Sequence, residues 1–261
     1  TAVSGTTTCD GSNWSQTGIN LSTLDDGTID ITVDMDDLGG NPAPQETASV
    51  AKDIVDPNVA VSATSYANTN NETSYSFSGT CDESGGTVNY SVDDANGGTA
   101  AVTGSTSCDG SNWTATNLNL SALDDATLDV TADLDDAAGN SAAQASGTIV
   151  KDTAIPTVAI TSSLVDAGPS NEASYAISGT CTEDASSVDI SVDDQGNGGT
   201  SAVAASDTCT GGAWSVTLNL SSLDDGTLDV TADHTDAAGN DATQDADTLT
   251  HDTTAPAVPD T

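Results

Sequence analysis

The side chains that could do chemistry in this chain are carboxylates and amides set in short turns. Asp136-Ala137-Ala138-Gly139-Asn140 returns as Asp236 to Asn240, with a looser copy at Asp37 to Asn41. Leu24-Asp25-Asp26-Gly27-Thr28 returns at Leu123 to Thr127 and at Leu223 to Thr227. Asp53, Asp152 and Asp252 follow Lys52, Lys151 and His251 at matching places. Such oxygens suit Ca²⁺, which takes about six to eight carboxylate, amide and backbone ligands. Each motif alone is an ordinary turn sequence. There is no Asp-x-Asp-x-Asp-Gly loop closed by a Glu, so the pattern is not an EF-hand.

These motifs repeat about every 100 residues, and other blocks keep the same period. Cys9-Asp10-Gly11-Ser12-Asn13-Trp14 returns as Cys108 to Trp113 and, more loosely, as Cys209 to Trp214. A fixed long period means an array of similar modules. A unique catalytic centre is not expected in triplicate. The register makes residues 1–52 the C-terminal half of a repeat, 53–152 and 153–252 complete repeats, and 253–261 the start of another. Half a module cannot close a core. The polypeptide is therefore expected to continue at both ends, or a neighbouring chain to complete the fold.

Two Lys and no Arg stand against 41 acidic residues, a formal charge of −39. That surface repels nucleic acid and anionic lipid, which need Lys and Arg to neutralise phosphate. Self-repulsion also opposes compaction, so divalent cations or high salt are expected to offset it. Aromatic residues make up 3% of the chain, leaving cores of Val, Leu, Ile and Ala that call for reinforcement. Cysteine supplies it: Cys81 and Cys108 recur as Cys181 and Cys209, and the partner expected for Cys9 would lie before residue 1. Regular pairs outside a CxxC pattern read as disulfides and an oxidising, extracellular compartment. Each bridge should contribute about 3–4 kcal/mol in the chain-entropy model.

Residues 53–152 divide into seven short segments separated by turn chemistry. These are Val59–Ser62, Ser74–Ser78, Thr87–Val92, Ala101–Ser107, Trp113–Leu120, Leu128–Ala132 and Ser146–Val150. Strands at this spacing, without a 3.6-residue apolar period, predict an all-β chain of tandem immunoglobulin-like Greek-key β-sandwiches. Threaded as strands A to G, Cys81 ends B and Cys108 lies at the D–E connection, at one pole. Trp14, Trp113 and Trp214, just beyond those cysteines, most simply cover the end of each core.

The threading also sorts the carboxylates. At the downstream pole, Glu72, Asp124 and Asp125 meet the linker Asp152 and the next module's Asp236 and Asn240, with Glu183 and Asp184 nearby. The preceding junction gathers Asp25, Asp26, Asp53, Asp136, Asn140 and Asp82. The third uses Glu172, Asp224, Asp225 and Asp252. Ca²⁺ shared at such junctions would relieve carboxylate repulsion and stiffen the linkers.

Here the chain resembles a known group, the tandem bacterial immunoglobulin-like repeats of large repetitive surface adhesins. The residues that carry it are Lys151-Asp152-Thr153-Ala154-Ile155-Pro156 and His251-Asp252-Thr253-Thr254-Ala255-Pro256. Thr131-Ala132-Asp133 through Asn140 belongs to the same pattern. The resemblance implies interdomain Ca²⁺ roles for Asp53, Asp152 and Asp252 and for Asp136 and Asp236. The boundary Lys52-Asp53-Ile54-Val55-Asp56-Pro57 is looser, and two cysteines per module are not general in that family. The expected function is a non-catalytic, cell-surface adhesin stalk. The alternative is an extracellular filament or sheath in which identical chains associate laterally or by strand exchange.

His234 and His251 lack recurring partners for zinc or a catalytic dyad, and no phosphate loop or nucleophile elbow appears. No enzyme activity and no direct membrane contact are expected. Of seven Asn-x-Ser/Thr sequons, Asn13 and Asn112 are the most accessible-looking acceptors for N-glycosylation.

Overall fold

The computed structural model describes residues 2–62, 64–95, 97–194 and 200–257. Among the described residues the chain is all-β apart from a three-residue 3-10 turn at Glu172–Ser174. The N-terminal part contributes β1 (Gly27–Val33) and β2 (Glu46–Lys52). The first module follows: β3 (Val59–Val61), β4 (Tyr75–Cys81), β5 (Thr87–Asp94), β6 (Val102–Ser107), β7 (Asn112–Leu118), β8 (Thr127–Asp135) and β9 (Ala145–Val150). The second repeats it: β10 (Val158–Ile160), β11 (Tyr175–Cys181), β12 (Ser187–Asp193), β13 (Val203–Thr208), β14 (Ala213–Leu218), β15 (Gly226–His234) and β16 (Asp245–His251).

Each module is a sandwich of a three-stranded and a four-stranded antiparallel sheet. In the first the orders are β3-β4-β7 and β6-β5-β8-β9; the second has the equivalent orders β10-β11-β14 and β13-β12-β15-β16. The fourth strand of each module thus pairs with the third, not with the fifth. The first strand changes sheets: beyond β3, Ala67 bridges Lys151 in parallel, and Ala167 bridges His251 in the same way. This crossover stitches each linker to the start of its own module.

Alternation in the sequence becomes alternation in burial. Along β8, Leu128, Val130, Ala132 and Leu134 face the core while Asp129, Asp133 and Asp135 face solvent. The first core holds the chain's one Phe, packed edge-on to both Tyr90 and Trp113 at 5.6 and 5.4 Å between ring centroids. The second core uses aliphatic residues at the corresponding positions, Ile177 and Ile190, around Trp214. Tyr90 sits across from Gly104, where a Cβ would lie 2.3 Å from its hydroxyl, whereas the smaller Ile190 faces Ala205. Bulk on one strand is balanced by space on the next.

Both disulfides form as the repeat spacing predicts. Cys81–Cys108 and Cys181–Cys209 each hold their Cα atoms 6.0 Å apart, and Cys9 is unpaired and exposed. Trp113 and Trp214 are buried beside these bridges. Trp14 is 51% exposed, in keeping with residues 1–52 being only half a repeat, of which β1 and β2 form a two-stranded sheet. Ile31 and Val50 are likewise exposed there, whereas their repeat equivalents Val130 and Ile149 are completely buried.

Candidate functional site: the junctions between modules

The acidic residues assigned to the junctions separate into two kinds of place. At the downstream pole of the first module, Lys151 extends between Glu72 and Asp125, with Nζ–O distances of 3.2 and 2.8 Å. Asp125 also accepts the Thr153 N–H at 2.9 Å and the Thr153 hydroxyl, fastening the linker. Burial opposes a charge on Lys151, but Asp125 and Glu72 hold its ammonium above the usual lysine value. Burial likewise raises the Asp125 carboxyl; the Lys151 and Thr153 hydrogen bonds outweigh it and keep the group below the ordinary value. Asp124 stands beside this cluster, its backbone N–H donated to the buried carboxylate of Asp94 at 3.1 Å.

The same seat recurs with different cations. Lys52 donates to the Leu24 carbonyl at 2.6 Å and to Asp26 at 3.1 Å, while Asp25 stays exposed. His251 places Nε2 2.9 Å from Glu172, with Asp225 3.8 Å from Nδ1. Asp225 takes over the linker contacts through the Thr253 N–H and the hydroxyls of Thr253 and Thr254. Asp224 donates its N–H to Asp194, as Asp124 does to Asp94. The register of Lys52, Lys151 and His251 was visible in the sequence; their carboxylate partners were not paired with them there.

The second place is the seam between modules. Within each Asp-x-x-Gly-Asn turn the Asp accepts the Asn backbone N–H and side-chain amide, at 2.8 and 2.7 Å for Asp136 with Asn140 and 2.8 and 2.8 Å for Asp236 with Asn240. The Asn140 amide, with its backbone and that of neighbouring turn residues, lowers the Asp136 pKa against the pull of burial. Each amide also reaches a linker carbonyl, Asn140 to Asp53 at 3.2 Å and Asn240 to Asp152 at 3.0 Å. The Asn240 Oδ1 then accepts the N–H and hydroxyl of Thr69, at 2.9 and 2.8 Å. Asn68 donates to the Ala238 carbonyl at 2.6 Å, and Asn70 to that of Gly239 at 3.2 Å. In the sequence Asn68–Asn71 simply lies between the segments Val59–Ser62 and Ser74–Ser78, and nothing local marks this role.

The linker aspartates make short local turns: Asp53, Asp152 and Asp252 each accept through Oδ1 the N–H two residues on. Asp82 stays within its module, bound by Asn58 through both oxygens at 2.7 Å. Asp184 accepts the Gly212 N–H near the second disulfide. Glu183 has a left-handed backbone, φ 64°, in the same turn. His234 stands where the first module has Leu134, fully inside the second core, its ring nitrogens against the carbonyls of Ser187 and Thr182. Asn13 and Asn112 are exposed, Asn112 at the start of β7.

A shared Ca²⁺ does not fit the downstream-pole carboxylates as they stand, because an ammonium or imidazole of the chain already lies between them. Asp236 spends both oxygens on Asn240. Among the described residues, no group of three or more His, Cys, Asp or Glu is gathered to hold a metal. The fully engaged polar atoms at the seam point instead to direct module-to-module contact.

The fold and the junction together define a tandem array of immunoglobulin-like sandwiches. Residues 166–253, which lie in the second module, match the family model described as bacterial Ig-like domain. The first module repeats its strand order and disulfide. The chain is similar to a tetra-tandem repeat in the extending region of a large adhesion protein, at 28% identity and TM-score 0.38, over 90% of this chain and 60% of that one. It is also similar to a 1.5-MDa bacterial ice-binding adhesin, at 21% identity and TM-score 0.37, over 90% and 77% of the two chains. Fibronectin(III)-like modules of CbhA from Clostridium thermocellum give 11% identity and TM-score 0.43, over 75% and 94%. The chain thus spans under two thirds of the first of these. No curated protein matches it by sequence. Among the described residues, no helix is long and apolar enough to cross a membrane.

Proposed function

We propose that this chain is part of a non-catalytic extracellular stalk of a cell-surface adhesin, in which successive bacterial Ig-like modules are spaced end to end. The observation that carries the reading is the seam at Asp152. There Asn240 is completely buried between two modules, with its side chain engaged by its own turn, the linker and Thr69. A linker free to swing would not bury a side chain of the following module. The disulfides staple each thin core in a compartment where such bonds persist. The test is immunolabelling of the producing cells: label on intact cells supports the stalk, and label only after lysis overturns it.

Ca²⁺ at the linker aspartates is the competing source of stiffness in this proposal. Calorimetry of the full chain in Ca²⁺ and in EDTA, at constant ionic strength, separates the two. Equal melting assigns the stiffness to the direct contacts, and a rise of many degrees specific to Ca²⁺ assigns it to metal.

A further inference from the structure

We propose that Asn68, Thr69 and Asn70 form a recognition surface for Asp-x-x-Gly-Asn turns, and that the residues at these three positions decide whether a junction is locked or hinged. The consequence for a stalk rests on the reading above; the recognition itself concerns contacts within this chain.

The turns Asp136–Asn140 and Asp236–Asn240 share their sequence, their internal bonds and their reach to a linker carbonyl. Ala238 and Asn240 of the second turn are buried where it is seated on this surface. That surface offers four donors: the Asn68 amide to Ala238, the Thr69 N–H and hydroxyl to Asn240, and the Asn70 amide to Gly239. They meet acceptors that a tight turn leaves pointing outward. Gly239 suits the turn, with φ +88°, and a Cβ there would crowd the Asn68 amide nitrogen at 3.0 Å.

The surface is shaped without its occupant. Asn71 accepts the Asn68 N–H at 2.8 Å and donates to the Tyr66 carbonyl at 3.0 Å, while Asn68 accepts the Asn70 N–H at 3.0 Å. Docking therefore orders little new chain, which favours tight association. In the second module the frame persists, with Asn171 accepting the Gly168 N–H at 2.8 Å and donating to Asp166 at 3.0 Å. The contact positions there read Gly168, Pro169 and Ser170. Glycine has no side-chain donor, proline has neither N–H nor hydroxyl, and serine is shorter than asparagine. The same frame carries a surface that can lock and one that cannot.

The experiment is ¹⁵N relaxation on the full chain in EDTA, so that metal contributes nothing. The comparison is between the unaltered chain, the triple change Asn68→Gly, Thr69→Pro, Asn70→Ser, and Asn240→Ala. The expected result is one common rotational correlation time for the two modules in the unaltered chain. Both variants should show separate, shorter times with each module still folded. Should the triple change disturb its module, Asn240→Ala, which leaves the surface intact, decides alone. Common tumbling retained in Asn240→Ala, or independent tumbling in the unaltered chain, overturns the lock. Either failure leaves the cell-surface reading to be judged by its own labelling test.

Discussion

Trp113 crosses the backbone of Gly79 to donate its indole N–H to the carbonyl oxygen of Ala60, 3.1 Å away. A Cβ on Gly79 would lie 1.9 Å from that oxygen and 2.4 Å from the indole nitrogen. Gly179 is as confined, with Ala159 O at 1.9 Å and the Trp214 ring at 2.5 Å. Gly79→Ala should therefore push the ring off its seat and destabilise the first module by about 3 kcal/mol, the upper range for overpacking. Denaturant unfolding followed by tryptophan fluorescence checks it, with Gly98→Ala as the comparison, since nothing lies within 4 Å of that position.

The disulfides invite a comparison of equals. They close loops with sequence separations of 27 and 28. Chain entropy then predicts that Cys81→Ser with Cys108→Ser, and Cys181→Ser with Cys209→Ser, each cost about 3–4 kcal/mol in their own modules. Each double change should leave the other module's transition in place. Loss of both transitions from one pair would show that the modules do not fold separately.

Much of the fold was legible because it is written in short periods. Leu128-Asp129-Val130-Thr131-Ala132 alternates in the sequence and in its exposure alike, and the cysteine spacing gave both bridges. What the sequence hid depends on contacts between distant residues. Asn68–Asn70 reads as a strand break, and its meaning comes from a turn 169–171 residues later. Composition likewise does not reveal that Lys151 reaches Glu72 and Asp125 together. A register substitution was available as a signal: His234 for Leu134 marks a polar residue carried into a core position.

Lys151 is nearly inaccessible, with 4% of its side chain exposed, while Glu72 and Asp125 keep 21% and 38%. Removing the amine leaves two neighbouring carboxylates without a counter-charge, but solvent reaches both. Lys151→Met should cost about 2 kcal/mol, less than the loss of a fully buried partner. Glu72→Gln in the same background should recover part of that by removing the repulsion. Thermal unfolding of the single and double variants measures both terms.

His251 occupies the corresponding seat in the second module and gives it a pH dependence that the first lacks. Burial disfavours its imidazolium, but the hydrogen bond to Glu172, the Asp224 carbonyl and the charge of Asp225 carry its pKa above the usual 6.5. Glu172 faces it from the 3-10 turn and Asp225 from the turn before β15, with Asp166 and Asp252 as the other carboxylates on the adjoining segments. A group whose pKa rises on folding stabilises fully below its unfolded value and loses that contribution as pH climbs through the folded one. Lys151 is likewise raised, but from 10.5, so its contribution persists to strongly alkaline pH. As pH climbs above the ordinary 6.5 of histidine, the second module should lose up to about 1 kcal/mol from this pair while the first keeps its own. His251→Lys should abolish that loss, and Lys151→His should create it in the first module. Unfolding transitions of the full chain across this range measure the effect. A loss unchanged by His251→Lys would place its origin elsewhere than in this ion pair.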